Sequence, residues 1–421
     1  MPTTDKRKLL LPFILVTSLF FFWGFVINLD PILLTHLKRS FSLNTLQSSL
    51  VDSSIFIGYF LMALPAGMIM KRFGYKAGFI TGLCLFALGS FLFIPAANTQ
   101  QYFFFLGALF VIACGLTLLE TAANPYAASL GDPSTATQRL NFAQSFNGLA
   151  ATLAPIIGAK LILTKGLSDA ELGQMTEAAR KAALASEASI VKTPFLILGL
   201  IILIIAVLFV LIKLPEIHSE GEEAVAGKGI FHVLRRSHLR WAVIAQFFYV
   251  GAQVCVTSFF ILYATKAASV DSATAATYLG LGYGLAFMGG RFIGTFFMRF
   301  VKPQRLLALY AFCNILLCGV MILGHGMVTL YAIIGVGFFN SIMFPTIFSL
   351  GIASLGSEAK FGSSLIIMAI AGGAILPPIM ARISDATNNI QNGYIIPLLC
   401  FVVVLIFGLE THKVKSIQHG E

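Results

Sequence analysis

The chain has 421 residues, of which 57% are hydrophobic and only 11% charged. A soluble globular domain carries roughly 25% charged residues, so this composition excludes a water-soluble fold. The formal net charge of +10 fits the basic bias of cytoplasmic loops in a membrane protein rather than a nucleic-acid-binding surface.

Bilayer hydrocarbon is about 30 Å thick, and one helix crosses it with roughly 20 apolar residues. Blocks of that kind fill the chain. Lipid offers no partner to free backbone N–H and C=O groups, so the blocks must be helices or strands of a closed barrel. Barrel strands alternate in polarity, and runs such as 201–211 do not. Helices are therefore expected. After Lys6, Arg7 and Lys8 comes the apolar run 9–34, too long for a signal peptide and without a small-residue cleavage site after its first part. It is taken as the first span. Spans 46–70, 77–96, 102–126, 140–163 and 194–212 follow, and the longest outer loop, 166–192, should carry a short surface helix. A polar stretch, 213–240, holds Glu216, Glu220, Glu222, Glu223, Arg235 and Arg236 and reads as a solvated linker. Six more spans come after it, at 241–264, 275–300, 305–323, 328–350, 363–383 and 393–409. The expectation is an all-α membrane protein of twelve transmembrane helices, with a first half at 1–213, a cytoplasmic linker at 214–239 and a second half at 240–421. Two repeated halves facing each other across a path are a common transporter layout.

With both termini placed in the cytoplasm, eighteen of the 28 lysines and arginines fall on inner segments: Lys6, Arg7, Lys8, Lys71, Arg72, Lys76, Arg139, Lys213, Lys228, Arg235, Arg236, Arg240, Arg299, Lys302, Arg305, Lys360, Lys413 and Lys415. Nine fall outside and Arg291 lies within a span. The inner excess supports that orientation. The six cysteines all sit in apolar blocks without metal-ligand spacing and read as packing residues. There is no phosphate-binding Gly-x-x-x-x-Gly-Lys-[Ser/Thr] loop, no His/Cys metal cluster and no Gly-x-Ser-x-Gly elbow. The seven histidines fall mainly in predicted loops and tails. An enzyme, an ATP-driven pump and a bound metal or other cofactor are therefore not expected.

Charged groups inside spans cost roughly 2.5–3.5 kcal/mol on insertion scales, so each is a functional candidate. Asp52 and Asp385 lie near span ends and read as interfacial carboxylates. Arg291, after a Gly-Gly pair, reads as a structural ion pair or a group that snorkels to the surface. Glu120 differs, because apolar residues precede it for more than three turns. Desolvation there favours the neutral carboxyl, so it could take up a proton near neutral pH. Small residues follow, and Pro125 removes a backbone donor. Asp30 lies toward the outer part of the first span, where Pro31 should break the helix and admit water.

Neutral polar residues recur in the spans. Gln144 and Asn147 share a face of the fifth helix, with Asn141 and Ser145 nearby; Gln246, Tyr249 and Gln253 share a face of the seventh. Amides and a phenol supply both donors and acceptors, as a hydroxyl-rich ligand requires. Phe247, Phe248 and Tyr249 could stack on a pyranose ring. Asn340 and Asn314 are lesser candidates. Hydrogen bonding between helices is the competing explanation for such residues.

The stretch Gly67-Met68-Ile69-Met70-Lys71-Arg72-Phe73-Gly74-Tyr75-Lys76 resembles the loop motif of the major facilitator superfamily, with Lys71 where an Asp is usual. Further runs resemble its L-fucose:proton symporter family, which includes glucose/galactose and N-acetylglucosamine carriers. These are Leu118-Leu119-Glu120-Thr121-Ala122-Ala123-Asn124-Pro125, Ala143-Gln144-Ser145-Phe146-Asn147, Tyr249-Val250-Gly251-Ala252-Gln253-Val254, the run 344–350 and the run 372–378. The resemblance covers nearly the whole chain in order. It implies two six-helix bundles rocking about a central sugar site, Glu120 as the protonatable glutamate, and Gln144 and Asn147 as sugar-contacting amides. The family's first-span Asn-Asp is replaced here by Asp30-Pro31, which places the carboxylate one residue early, about 100° round a straight helix.

The expected function is secondary active sugar import across a bacterial-type inner membrane, by a monomer. Glu120 and Asp30 would exchange the coupling proton; Gln144, Asn147, Asn124, Gln246, Tyr249, Gln253 and Asn340 would bind a hexose, deoxyhexose or N-acetylhexosamine. Sodium coupling stays open, since carboxylates and carbonyls also hold Na⁺. A drug:proton antiporter would need a wide apolar cavity with few amides. A non-transporting nutrient receptor would need a signalling tail longer than 416–421.

Overall fold

The structure, a computed structural model, describes residues 6–41, 45–163, 175–215 and 230–413. The first half contains α1 (Lys6–Ser40), α2 (Thr45–Thr99), α3 (Tyr102–Ser129), α4 (Ala136–Gly158), α5 (Glu177–Ala188) and α6 (Lys192–Leu211). The second half opens with a short 3₁₀ turn, Ile230–Arg235, and continues as α7 (Ser237–Ser258), α8 (Phe260–Ala267), α9 (Ser272–Thr277), α10 (Gly284–Phe297), α11 (Pro303–Leu323) and α12 (Met327–Asn340). It ends with α13 (Met343–Ile352), α14 (Ala359–Met368), α15 (Gly372–Thr387), α16 (Ile390–Gly393) and α17 (Ile395–Ile406).

Ten helical segments among the described residues are long and apolar enough to cross a membrane. One of them, Ser53–Thr99, has 47 residues and holds two crossings, because α2 bends at Gly74 (φ 80°, ψ 174°). That conformation is open to glycine and strained for other residues. The expected span 275–300 is a further crossing built in pieces, from α9, a π-helical segment Tyr278–Tyr283 and α10. The result is the expected all-helical, twelve-crossing architecture. The loop before α6 does form a surface helix, α5. Residues 216–229 of the expected linker lie outside the described residues.

Three expectations need correction. Helix α1 continues through Pro31 to Ser40 instead of breaking at the proline. His36 and His238 are buried within helices rather than placed in loops. All six cysteines are free, but Cys84 is exposed rather than packed.

Local chemistry sets the turns. The α2 bend is flanked by Lys71, Arg72 and Lys76. The Lys76 ammonium donates to Val210 O at 2.9 Å and Ile212 O at 3.0 Å, satisfying carbonyls at the end of α6 with a cation suited to a helix C-terminus. Tyr126 Oη donates to Pro215 O at 3.0 Å, holding the following chain. Between α3 and α4, Asp132 accepts from the Ser134 N–H at 2.8 Å and the Ser134 hydroxyl at 2.7 Å. Those two bonds hold its carboxyl below the usual carboxylate range. In the second half, Arg236 Nε and His232 Nδ1 lie 3.4 and 3.6 Å from the Glu358 carboxylate, tying the 3₁₀ turn to the loop between α13 and α14.

Without a hydrophobic driving force between helices in lipid, close packing relies on small residues. Gly82 and Gly115 bring the second arm of α2 against α3. A Cβ at Gly115 would lie 2.6 Å from Phe86 N and 2.7 Å from Gly82 O, both backbone atoms that cannot rotate away. Gly115→Val is therefore expected to destabilise the protein by about 1–3 kcal/mol. It should lower the unfolding temperature in detergent by several degrees, and an unchanged melting profile would contradict this packing.

The two halves meet through α2 and α3 against α14, and α4 against α10 and α13. Thr137 Oγ1 and Ser349 Oγ lie 2.8 Å apart, Asn141 Nδ2 donates to Thr346 Oγ1 at 3.1 Å, and Ser363 Oγ donates to Thr121 O at 2.7 Å. Lys71 sits 4.8 Å from the centre of the Phe361 ring and Lys360 5.4 Å from that of Tyr75. Most of these contacts gather at the end of the molecule that carries the turns 71–76, 130–135 and 353–358.

Candidate functional site

The site begins with two prolines. Proline lacks an N–H, so it leaves the carbonyl four residues earlier without its helical partner. In α3, Pro125 frees Thr121 O, which accepts the Ser363 hydroxyl from the opposite half. In α13, Pro345 frees Ser341 O, which accepts from Arg291 Nε at 2.6 Å. The helix interruptions thus create acceptors where the halves meet, and each lies one residue after a candidate, Glu120 or Asn340.

Glu120 is 6% exposed, and its Oε2 has no hydrogen-bond partner. Tyr59 is buried on α2, and its hydroxyl likewise has no hydrogen-bond partner. The backbone of the same turn is tied down: Asn124 Nδ2 donates to Glu120 O at 2.8 Å, and Gln144 Nε2 donates to Asn124 Oδ1 at 2.9 Å. Three expected site residues, Glu120, Asn124 and Gln144, therefore form one chain from α3 to α4. Asn147, one turn along α4, is half-buried and rests on α1 at Gly24, where a Cβ would come within 2.8 Å of its amide. Asn28 Nδ2 donates to Gly24 O at 2.6 Å. The Asp30 and Asp52 side chains lie outside the described residues. Asp385 is exposed near the end of α15.

The second-half candidates form their own cluster. Tyr249 Oη donates to Asn340 O at 3.1 Å, Asn314 Nδ2 donates to Asn340 Oδ1 at 2.9 Å, and Asn340 Nδ2 reaches Tyr283 Oη at 3.5 Å. Gln246 is 0% exposed, and neither its Nε2 nor its Oε1 has a partner. Gln253, on the same helix, is half-buried. Phe247 and Phe248 pack edge to face at 5.5 Å.

Arg291 joins the clusters. It is 3% exposed; Nη1 donates to Gln144 O at 2.7 Å while Nε holds Ser341 O. Its guanidinium lies 4.6 Å from the centre of the Phe287 ring. The sequence suggested an ion pair or snorkelling. Instead the cation is buried against carbonyls and a ring, because Pro345 supplies an acceptor and α4 approaches from the other half. Tyr283, Thr346 and Ser349 contribute side chains to these contacts and Ser341 its backbone carbonyl, and none of the four was among the sequence candidates. The repeated spacing of a polar residue and a proline five positions on, Glu120 with Pro125 and Asn340 with Pro345, is the signal that could have pointed to their surroundings.

A cavity of about 510 Å³ lies between α1 and α4 and is lined mainly by Phe13, Ile14, Phe21, Phe22, Phe142 and Phe146. None of the candidate polar residues lines it. Among the described residues, no cluster of His, Cys, Asp and Glu could hold a metal ion.

A twelve-crossing, two-bundle protein with ionisable and amide side chains at the bundle interface is a membrane carrier. Residues 13–378 match the Major Facilitator Superfamily, and the chain belongs to that family of transporters. It is 42% identical over 411 residues to the L-fucose-proton symporter of Escherichia coli (strain K12), covering 96% of this chain and 94% of that protein. It is 40% identical over 400 residues to the glucose/galactose transporter of Brucella abortus (strain 2308), covering 94% and 93% respectively. Among solved structures, the transporter FucP in the outward conformation superposes with a TM-score of 0.89 at 42% identity, covering 96% of this chain and 99% of that one. The proton:xylose symporter XylE superposes with a TM-score of 0.70 at 15% identity, a likeness of fold alone.

Proposed function

We propose that this carrier is a sugar:proton symporter that imports a hexose, deoxyhexose or N-acetylhexosamine by alternating access. The observation that carries the reading is the chain from buried Glu120 through Asn124 to Gln144, tied by Arg291 to the opposite half. A carboxylate held out of water is costly, and protonation removes that cost. The loaded, protonated carrier can then reorient, while the empty, charged form resists leakage. The names of the relatives support sugar as the cargo and, for the fucose carrier, the proton as the coupling ion.

In this proposal Glu120 and Asp30 exchange the proton, and Gln144, Asn147, Asn124, Gln246, Tyr249, Gln253 and Asn340 form the sugar site. The unpartnered amide of Gln246 supports a ligand that supplies its hydrogen bonds. Bundles 1–213 and 240–421 rock about this site across the linker 214–239. The protein is a monomer in a bacterial inner membrane, with both termini cytoplasmic. In that orientation the contacts from α2, α3 and α4 to α10, α13 and α14 close the cytoplasmic end, so this is the outward-facing state.

Uptake of a panel of labelled sugars (L-fucose, D-galactose, D-glucose and N-acetyl-D-glucosamine) into proteoliposomes tests the cargo. At least one should accumulate, and accumulation of none would overturn it. Gln144→Ala should raise the KM for that sugar about tenfold, the scale of one lost hydrogen bond plus an unsatisfied partner. An unchanged KM would remove Gln144 from the site.

A further inference from the structure

Helices α4 and α7 both start at the end that carries the turns 130–135 and 353–358, and they carry matching rows of polar side chains. On α4 the row is Asn141, Gln144 and Asn147; on α7 it is Gln246, Tyr249 and Gln253. Steps of three and four residues keep each row on one helix face. The same gradient runs along both rows. Farthest from that end, Asn147 and Gln253 are half-buried. The middle residues are engaged: Gln144 Nε2 donates to Asn124 Oδ1, and Tyr249 Oη donates to Asn340 O. The innermost residues, Asn141 and Gln246, are each 0% exposed and short of partners. Asn141 Nδ2 donates to Thr137 O at 2.9 Å and to Thr346 Oγ1 at 3.1 Å. Its Oδ1 accepts nothing, and Gln246 lacks a partner at both Oε1 and Nε2.

Helix α13, which packs against both α4 and α7, shows that the two innermost amides lie at one depth. On the α4 side, Thr137 meets Ser349 and Asn141 meets Thr346. On the α7 side, a Cβ at Gly351 would lie 2.5 Å from the Ala242 Cβ, and the Tyr249 and Phe344 rings lie 6.5 Å apart. Gln246, between Ala242 and Tyr249, therefore falls near the level of Thr346 and Ile347, as Asn141 does. Buried polar atoms without a partner are rare, and each calls for an explanation. Here there are two amide oxygens and one amide nitrogen at that depth. Sugar hydroxyls both donate and accept, so they match such a set. We propose that Asn141 and Gln246 form an inner sugar subsite on the release side of the path, sealed in this state and reached by the sugar only when the halves part at this end. This deepens the sugar reading above and rests on it. Asn147 and Gln253 lie roughly 10 Å farther along their helices at 1.5 Å per residue, and they meet sugar entering from the opposite side. Parting also breaks the bond from Asn141 to Thr346, which frees one more donor for the sugar.

Gln246→Met is the cleanest test, because methionine keeps most of the bulk and the substitution breaks no formed side-chain hydrogen bond. The probe is the transported sugar of the panel, followed by counterflow in right-side-out and inside-out membrane vesicles. The quantity read is the half-saturating concentration at the release side divided by that at the entry side. Gln246→Met and Asn141→Ala should raise this ratio about tenfold, the scale of one lost hydrogen bond plus an unsatisfied partner. Gln253→Met and Asn147→Ala should lower it by a similar factor. Without sugar, Gln246→Met should melt no lower than wild type, whereas loss of a structural amide would lower the melting temperature. Asn141→Ala does break the bond to Thr346, so if it fails to fold, Gln246→Met decides alone. A wild-type ratio in Gln246→Met, or a lowered melting temperature in that variant, would overturn the proposal. If wild-type vesicles transport none of the four sugars, the sugar reading itself fails and the subsite with it, and the two failures are thereby distinguished.

Discussion

Glu120→Gln is expected to abolish sugar accumulation driven by a pH gradient while sparing exchange between internal and external sugar. The substitution keeps the volume of the side chain and mimics the protonated carboxyl, so the variant should be locked in its neutral form. With one proton carried per sugar, a gradient of one pH unit supports about tenfold accumulation. The variant should reach a ratio of about one under the same gradient. Counterflow needs only reorientation of the loaded carrier and should persist. Glu120 Oε2 has no hydrogen-bond partner, so the substitution breaks no bond there, and folding should be little affected. Undiminished accumulation would refute the coupling role.

Arg291→Met has the second large expected effect. The guanidinium is the one described side chain that holds Ser341 O of its own half and Gln144 O of the other. Methionine preserves much of the apolar stem but leaves Ser341 O, already deprived of its helical donor by Pro345, without a partner. A buried polar group left unsatisfied costs about 1–3 kcal/mol, which as a bias between two states is about 5- to 150-fold. The bias acts on the state closed at the 71–76 end, where this contact forms. A Thr137→Cys/Ser349→Cys pair, built where the hydroxyls lie 2.8 Å apart and with the native cysteines replaced, should cross-link efficiently. Adding Arg291→Met should lower that yield and slow uptake. Unchanged cross-linking would mean the contact contributes nothing to closure.

The architecture was legible because membrane helices must satisfy their own backbone, which makes each crossing a contiguous apolar block. The departures have local causes. At the α2 bend Gly74 takes a positive φ that turns one crossing directly into the next, and the eighth crossing is broken by a π-helical segment that no hydropathy pattern marks. Pro31 did not stop α1, since a membrane helix can lose one internal hydrogen bond and continue. At the site, Glu120, Asn124 and Gln144 could be proposed from helical spacing, and they are joined in one chain. Arg291 was visible only as a cation in a span. Its partners are backbone carbonyls, and an acceptor freed by a proline five residues beyond Asn340 has no residue type of its own to announce it. The pairing of Tyr283 with Asn340 was invisible for a similar reason, because it depends on which faces of distant helices meet.

The central claim, that a proton gradient drives sugar through the site around Glu120, is tested most directly by wild-type protein in proteoliposomes, with proton and sodium gradients imposed separately. Under an inside-alkaline gradient without sodium, the transported sugar should accumulate above its external concentration and collapse to equilibrium on addition of a protonophore. Accumulation that follows the sodium gradient and ignores the pH gradient would contradict the account.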